Sequence, residues 1–209
     1  MIKITKESEP NVLKNNKSFW TNQLMKFVLN GQKIPKTVQN RYNHPEVKNA
    51  LINETNGKCM YCESFIGHVA SEHIEHYKPK AAHKYPELTF EWTNLGLACP
   101  VCNSNKKDEF DENCAFVNPY TENPDDFFIA FGFIIYHKPG NSRAELTEKL
   151  LDLNRPELIE RRKERIDSII RIIELCAKEP NPTLKKMYKK EIDIETQNDK
   201  PYWPSLTDW

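Results

Sequence analysis

The sequence predicts an α+β protein, mostly helical, built around a small module that is clasped by a zinc ion. Residues 11–30 and 145–178 carry apolar side chains at helical spacing. Residues 59–110 are bounded by two pairs of cysteines that have the spacing of zinc ligands. Residues 127–136 are nearly all apolar or aromatic, which is typical of a buried strand or hairpin.

The first part of the chain is predicted to form two helices. The apolar face of the first helix consists of Trp20, Leu24, Phe27 and Val28. Gly31 and Pro35 follow this face and break the helix. A second helix is expected to open at His44, which directly precedes a proline, and to end near Gly57.

The cysteine-bounded module comes next. Residues 70–77 are predicted to form a short strand, and residues 103–110 the start of a helix. Residues 111–126 are acidic and contain proline, so a loop is expected there.

The C-terminal part should contain the apolar strand or hairpin and then helices. One stripe at helical spacing in this region is Leu158, Arg162, Ile166, Ile169, Ile170 and Ile173. Such a stripe is either internal core or a surface for a partner. Asn154, with Glu157 three residues later and Pro156 between them, resembles a helix-capping signal.

The last 30 residues are rich in proline and lysine and show no strong helix or strand pattern. They end in an aromatic segment that includes Tyr202, Trp203 and Trp209. Because aromatic anchors dominate interface energetics, this tail is predicted to dock a partner, the alternative being that it folds back on the protein. The predicted segments are a helical part (1–57), the cysteine-bounded module (58–112), a strand pair with helices (113–179) and the tail (180–209).

Composition excludes several classes of protein. Mean hydropathy is -0.73, and no stretch approaches the ~20 apolar residues of a membrane span. The N-terminus lacks the apolar core of a signal peptide, so a cytoplasmic protein with no membrane contact is expected. Net charge is zero, but residues 1–50 carry a net +6 and residues 51–150 a net -6. The basic segment could face phosphates or be an ordinary solvated surface.

Four of the six cysteines form two C-x-x-C pairs, Cys59 with Cys62 and Cys99 with Cys102. Each pair can direct both sulfurs to one tetrahedral ion, which predicts a structural zinc site, with four buried thiols as the alternative. Cys114 and Cys176 have no such pattern and should be small buried side chains.

The residues between the cysteine pairs resemble the HNH endonuclease motif. The matching elements are Glu75-His76 with Pro79 three residues after the histidine, Asn94-Leu95, and Cys99-x-x-Cys102-Asn103-x-x-Lys106. The resemblance covers about residues 58–110. In that family a β-hairpin and a helix, the ββα-metal finger, hold one divalent ion and hydrolyse phosphodiester bonds.

The resemblance implies roles for individual residues. Glu75 and Asn103 are implied to be ligands of the catalytic ion, His76 to be the general base, and Asn94 to fix the loop that carries the base. Carboxylate and amide ligands suit Mg²⁺ or Mn²⁺, while zinc stays with the thiolates.

Two alternatives stay open around this motif. A second Glu-His pair, Glu72-His73, precedes Glu75-His76, but only the latter has the proline at the correct distance. His73 is then either a further ligand or a partly exposed strand histidine, whereas His68 and His83 are expected to be ordinary loop residues. Phosphate contacts are predicted for nearby lysines, namely Lys78, Lys80, Lys84, Lys106 and Lys107.

A narrower resemblance extends over roughly residues 44–165. Together with the finger, Tyr85-Pro86-Glu87-Leu88 and Leu153-Asn154-Arg155-Pro156-Glu157-Leu158 look like the HNH nuclease subunits of Septu anti-phage defence, which also accompany some retrons. That resemblance implies a PtuA-type ATPase partner. The motif does not distinguish DNA from RNA, because no element in it reads the 2′-hydroxyl. DNA is the favoured substrate, and a toxin-like ribonuclease that cuts host tRNA is the alternative. The alternative hypothesis, from a different functional class, is a non-catalytic zinc module that binds nucleic acid.

Overall fold

A computed structural model describes residues 1–67, 72–197 and 199–202. The predictions for His68, Trp203 and Trp209, and for the first two residues of the strand expected at 70–77, lie outside these ranges. The described chain confirms the α+β class: helices surround two small antiparallel sheets. No helix within the described ranges is long and apolar enough to cross a membrane.

The N-terminal part forms helices as predicted. They are α1 (Asn11–Leu29), the single turn α2 (Lys36–Gln39), and α3 (Pro45–Thr55). His44 caps α3, since its side chain accepts a hydrogen bond from the backbone N–H of Glu46. Asn56, in the left-handed conformation, ends α3.

The centre of the molecule is the turn that carries Cys59 and Cys62, followed by a hairpin and a helix; we call residues 59–106 the finger. Its elements are β1 (His73–His76), β2 (Leu95–Ala98) and α4 (Pro100–Lys106). β1 and β2 are antiparallel, with Glu75 opposite Gly96. A Cβ at Gly96 would lie 2.3 Å from the sulfur of Met60, so only glycine fits this position.

The helix of the finger begins earlier than expected. The prediction placed its start at Asn103, but α4 begins at Pro100, and Cys99 is its N-cap. Proline is favoured at the first helical position because its missing N–H would have no partner there. Asn103 therefore lies in the middle of the helix rather than opening it.

The C-terminal part contains a second hairpin, β3 (Phe128–Phe131) and β4 (Ile134–His137), and then α5 (Ser142–Leu150) and α6 (Pro156–Lys178). The hairpin was predicted at the right place, but it is not buried. Phe131 is 78% exposed and Tyr136 is 51% exposed. Ile135 is buried, whereas Ile129 and Phe133 are exposed as well.

The stripe on α6 is internal at its N-terminal end only. Leu158, Arg162, Ile166 and Ile169 are buried, whereas Ile173 is 46% exposed. The capping prediction was wrong: Arg155 is the N-cap residue, and the Asn154 side chain instead bonds the backbone N and O of Ile135. Asn154 thus extends the ladder of β4 rather than capping a helix.

The tail also differs from its prediction. Residues Pro182–Glu195 form a helix, α7, capped by Asn181 and packed along α6. Tyr202 folds back onto the finger, where its hydroxyl lies 2.9 Å from that of Ser64. A proline at the first turn and an asparagine cap are helix-start signals that the lysine-rich composition obscured.

One buried apolar cluster joins these parts. It includes Leu13 and Leu24 of α1, Leu51 of α3, the four finger cysteines, and Leu158 of α6. The finger therefore shares its core with the N-terminal helices and with the start of α6. Trp92 is also buried in this cluster.

Candidate zinc centre and active-site cleft

The two cysteine pairs meet in one buried cluster. The Sγ atoms of Cys59, Cys62, Cys99 and Cys102 all lie within 4.8 Å of one another, and those of Cys62 and Cys99 are 3.7 Å apart. Tetrahedral zinc with Zn–S bonds of about 2.3 Å places sulfurs about 3.8 Å apart. The four side chains therefore have the geometry of a zinc site.

Electrostatics of the cluster favour the same conclusion. Burial raises the pKa of the Cys59 thiol, while hydrogen bonds from Cys102 and Cys59 lower the pKa of Cys62. Four buried thiolates cannot coexist without a cation, and zinc supplies the charge that would hold all four deprotonated. The backbone N–H of Cys102 also donates to the Cys99 sulfur at 3.4 Å. Cys176 is buried as expected, whereas Cys114 is only partly buried.

A polar cleft of about 510 Å³ opens beside the hairpin of the finger. The predicted site residues that line it are His73, Glu75, His76, Lys80, Asn103 and Lys107. Tyr42 and Lys48, from the N-terminal part, also line it. Folding thus brings most of the predicted residues to one cavity.

His76 is held with one ring nitrogen engaged and the other free. Its Nε2 lies 3.0 Å from the carbonyl oxygen of Thr89, which can only accept, so Nε2 carries the proton. Nδ1 is buried and has no hydrogen-bond partner in the part of the chain that the structure describes. Burial, and then the charge of Lys80, lowers the pKa of His76 to about 3, so the ring is neutral near pH 7. A neutral histidine with a free nitrogen is the form that accepts a proton.

Asn94 ties the loop after β1 in place. Its side-chain oxygen accepts from the N–H of Lys78 at 2.8 Å, and its amide donates to the carbonyl oxygens of Lys78 and Leu88. These bonds clamp the backbone two residues after His76. Asn94 is buried and does not line the cleft.

Glu75 forms a buried ion pair with Lys106. Their charged atoms are 2.7 Å apart, and both side chains are almost fully buried. Burial raises the pKa of Glu75, and the Lys106 ammonium partly offsets that effect. Lys106 also donates to the carbonyl oxygen of His76 at 2.9 Å. It therefore cannot contact phosphate from this position, contrary to the prediction.

Asn103 and His73 are neighbours across the finger. The Asn103 amide donates to Nδ1 of His73 at 2.9 Å, which leaves the amide oxygen of Asn103 available. Glu75 and Asn103 offer a carboxylate and an amide oxygen, a donor set that fits Mg²⁺ or Mn²⁺ completed by water. Among the described residues, only the cysteines bring three or more acidic, histidine or cysteine ligand atoms together.

The remaining predicted lysines separate into two groups. Lys80 and Lys107 line the cleft. Lys78 instead points to the acidic loop, where it pairs with Glu112 at 3.3 Å and lies over the ring of Tyr85.

Two cleft residues were missed by the sequence reasoning. Tyr42 packs edge-on against His76, with ring centroids 4.5 Å apart and an interplanar angle of 89°. Lys48, at 3.9 Å from Glu72, brings a cation to the same wall. Both precede the finger in the chain, and only the net positive charge of residues 1–50 hinted at their contribution.

The HNH endonuclease family model matches residues 59–109 of the chain. This range contains both cysteine pairs, the Glu75-His76 pair and Asn103.

Three curated relatives cover more of the chain. The Septu protein PtuB of Bacillus mycoides strain KBAB4 is 30% identical over 95% of this chain and 78% of its own length. The Septu protein PtuB of Bacillus thuringiensis is 27% identical over 74% of this chain and 55% of its own length. A retron Vc95 protein of Vibrio cholerae serotype O1 biovar El Tor, named as an HNH endonuclease, is 28% identical over 55% of this chain and 60% of its own length.

Proposed function

Since this chain belongs to the HNH endonuclease family that includes the Septu protein PtuB, we propose that it is the nuclease effector of an anti-phage defence complex and cuts nucleic acid in the cleft beside the finger. His76 carries this proposal. It has one ring nitrogen anchored to Thr89, the other unpaired, and a pKa low enough to keep it neutral.

The proposed reaction is hydrolysis of a phosphodiester bond. Nδ1 of His76 accepts a proton from the attacking water, while the Nε2 bond to Thr89 and the edge of Tyr42 hold the ring still. Glu75 and Asn103 would hold the divalent ion, with His73 as a further ligand or a support for Asn103. When bound, that ion supplies charge stabilisation for the phosphate and the leaving oxygen.

The lysines at the cleft position the substrate. Lys48, Lys80 and Lys107 line the cleft, so they can neutralise phosphates near the scissile bond. Such contacts read no sequence. DNA is the favoured substrate, and tRNA is the alternative.

The partner is proposed from the family. Resemblance to Septu nuclease subunits implies a PtuA-type ATPase whose nucleotide state gates access to the cleft. An apolar groove of about 690 Å³ lies between the second hairpin and α6, lined by Phe131, Phe133, Ile166 and Ile170 among others. Such a groove, with exposed aromatic residues, is more apolar than a free surface needs and supports docking on this side, away from the cleft.

The test is cleavage of plasmid DNA and of total tRNA by the purified complex, with and without added Mg²⁺ or Mn²⁺. We expect cleavage only with the added ion, and a loss of ~10²–10⁴ in rate for His76→Ala. Zinc content and thermal stability should stay near those of the unaltered protein.

His73→Ala is the matched control, because it removes the other histidine of β1 from the same cleft. It should retain more activity than His76→Ala. If His73→Ala is inactive and His76→Ala active, the base has been assigned to the wrong pair. Cleavage of neither substrate under any of these conditions would leave the non-catalytic zinc module as the better description.

A further inference from the structure

A cation from outside the finger reaches the cysteine cluster. Nη2 of Arg155 lies 3.7 Å from the sulfur of Cys62 and 3.9 Å from that of Cys99, and Nη1 lies 3.8 Å from that of Cys102. Arg155 is 9% exposed. One guanidinium thus contacts three of the four sulfurs.

The backbone around Arg155 is built to hold it there. Nη1 also donates to the carbonyl oxygen of Asp152 at 3.2 Å, and the backbone N–H of Arg155 donates to the same oxygen. Leu153 and Leu158, on either side, are buried in the common core. The side chain is therefore fixed at both ends.

The charge of the cluster explains what such a cation would do. A zinc ion bound by four thiolates carries a net charge of -2, and burying that charge is costly unless it is compensated. Hydrogen bonds to ionised groups are stronger than neutral ones, and the planar fork of arginine can donate to several acceptors at once. Lysine would offer a point charge without this fork.

A second buried arginine nearby behaves differently. Arg162, on α6, donates to the carbonyl oxygen of Leu153 at 2.7 Å and to the side chain of Asn154 at 3.3 Å. Its role is to hold the α5–α6 joint together. Arg155 is the residue through which that joint touches the sulfurs.

We propose that Arg155 is part of the zinc centre: its guanidinium neutralises part of the charge on the zinc-bound thiolates of Cys62, Cys99 and Cys102, and so helps the finger to retain its metal. Arg155, which lies 53 positions after Cys102, then completes the zinc site. This inference depends on the zinc site and not on nuclease activity.

The experiment measures zinc affinity of the full-length protein by competition with a chromophoric chelator. We expect Arg155→Gln to lower the affinity at least ~10-fold, the range seen when outer partners of metal ligands are removed. Arg155→Lys should lie between Arg155→Gln and the unaltered protein. Arg161→Gln, which removes an exposed arginine of α6, is the matched control and should bind zinc as the unaltered protein does.

Cobalt substitution gives a second measurement that does not depend on whether Arg155→Gln folds. In Co²⁺-loaded protein, the sulfur-to-metal charge-transfer band should shift in Arg155→Lys, because Arg155 donates to the sulfurs. It should not shift in Arg161→Gln, because Arg161 donates to Glu164 instead. Unchanged zinc affinity together with an unchanged band in the Arg155→Lys protein would overturn the proposal.

Discussion

At the scale of single residues, two buried ionisable groups lie side by side on β1, and burial shifts their pKa values in opposite directions because it favours the neutral form of each. His76 is driven to its neutral form, and its pKa falls to about 3. Glu75 has its pKa raised by burial, but Lys106 supplies a counter-charge at 2.7 Å. These two environments determine what each residue can do: His76 can accept a proton, and Glu75 can offer a carboxylate where the cleft meets the finger.

The depressed pKa of His76 makes folding stability depend on pH. Below an unfolded-state pKa of about 6.5 the unfolded chain binds a proton that the folded state binds only near pH 3, so stability is lost as the pH falls through this window. Between pH 7 and pH 5.5 the free energy of unfolding of the unaltered protein should fall by about 1 kcal/mol more than that of the His76→Asn protein. Urea denaturation at the two pH values measures this, and equal losses in both proteins would contradict the assignment.

The Glu75–Lys106 pair predicts a strong mutational effect. Lys106→Met leaves a buried carboxylate without its partner, which should destabilise the protein by ~3–5 kcal/mol. Adding Glu75→Gln to Lys106→Met should recover most of that loss, because the uncompensated charge is gone. Lys107→Met, which alters a neighbouring lysine at the cleft, is the control and should change stability little. Thermal denaturation of the four proteins completes the comparison.

At the scale of elements, the two cysteine turns bring four sulfurs from separate parts of the chain into one cluster. Cys59 and Cys62 lie before β1, while Cys99 and Cys102 lie at the junction of β2 and α4. A two-stranded hairpin is marginally stable alone. A zinc ion bound by the four sulfurs would therefore contribute folding energy to the finger directly.

Removing one thiolate should release the metal. Purified protein should carry about one zinc per chain, and Cys59→Ser or Cys102→Ser should lose it and misfold. Cys114→Ser, which alters a cysteine outside the cluster, should keep both zinc and fold. Elemental analysis together with circular dichroism provides the check, and a folded protein free of zinc would refute the zinc site.

At the scale of the whole molecule, the cleft and the exposed apolar surfaces lie on different parts of the fold. The cleft lies between the finger and the segment around Tyr42, whereas the apolar groove lies between the second hairpin and α6. A partner bound at the groove would leave the cleft open to nucleic acid. Tyr202 is packed on the finger, so a truncation that tests the tail must keep it.

Two changes test the proposed docking side. Deletion of residues 203–209 and Phe131→Asp should each weaken co-purification with the ATPase subunit, because the first removes two tryptophans and the second removes an exposed phenylalanine. Phe19→Asp is the control, since Phe19 is 67% exposed on α1 and Phe131 is 78% exposed on the hairpin. Co-elution of both altered proteins at full stoichiometry would show that the partner binds elsewhere.

Much of this protein was determined by local sequence. The two C-x-x-C pairs predict the metal cluster because their spacing limits where the sulfurs can point, and helical spacing locates α1, α3 and most of α6. The Glu75-His76 pair and Asn103 could be assigned to one site because they form a recognisable motif. These features depend on residues that are close in the chain.

Only the tertiary structure decided the rest, because it depends on which distant segments meet. Lys106 faces Glu75 rather than solvent, since α4 packs against β1. Tyr42 and Lys48 reach the cleft because the N-terminal helices share a core with the finger, and Arg155 reaches the sulfurs because the α5–α6 joint packs there. The sequence does not show whether a lysine or arginine is solvated or buried. A buried one needs a negatively charged partner, and only the folded protein shows whether such a partner lies nearby.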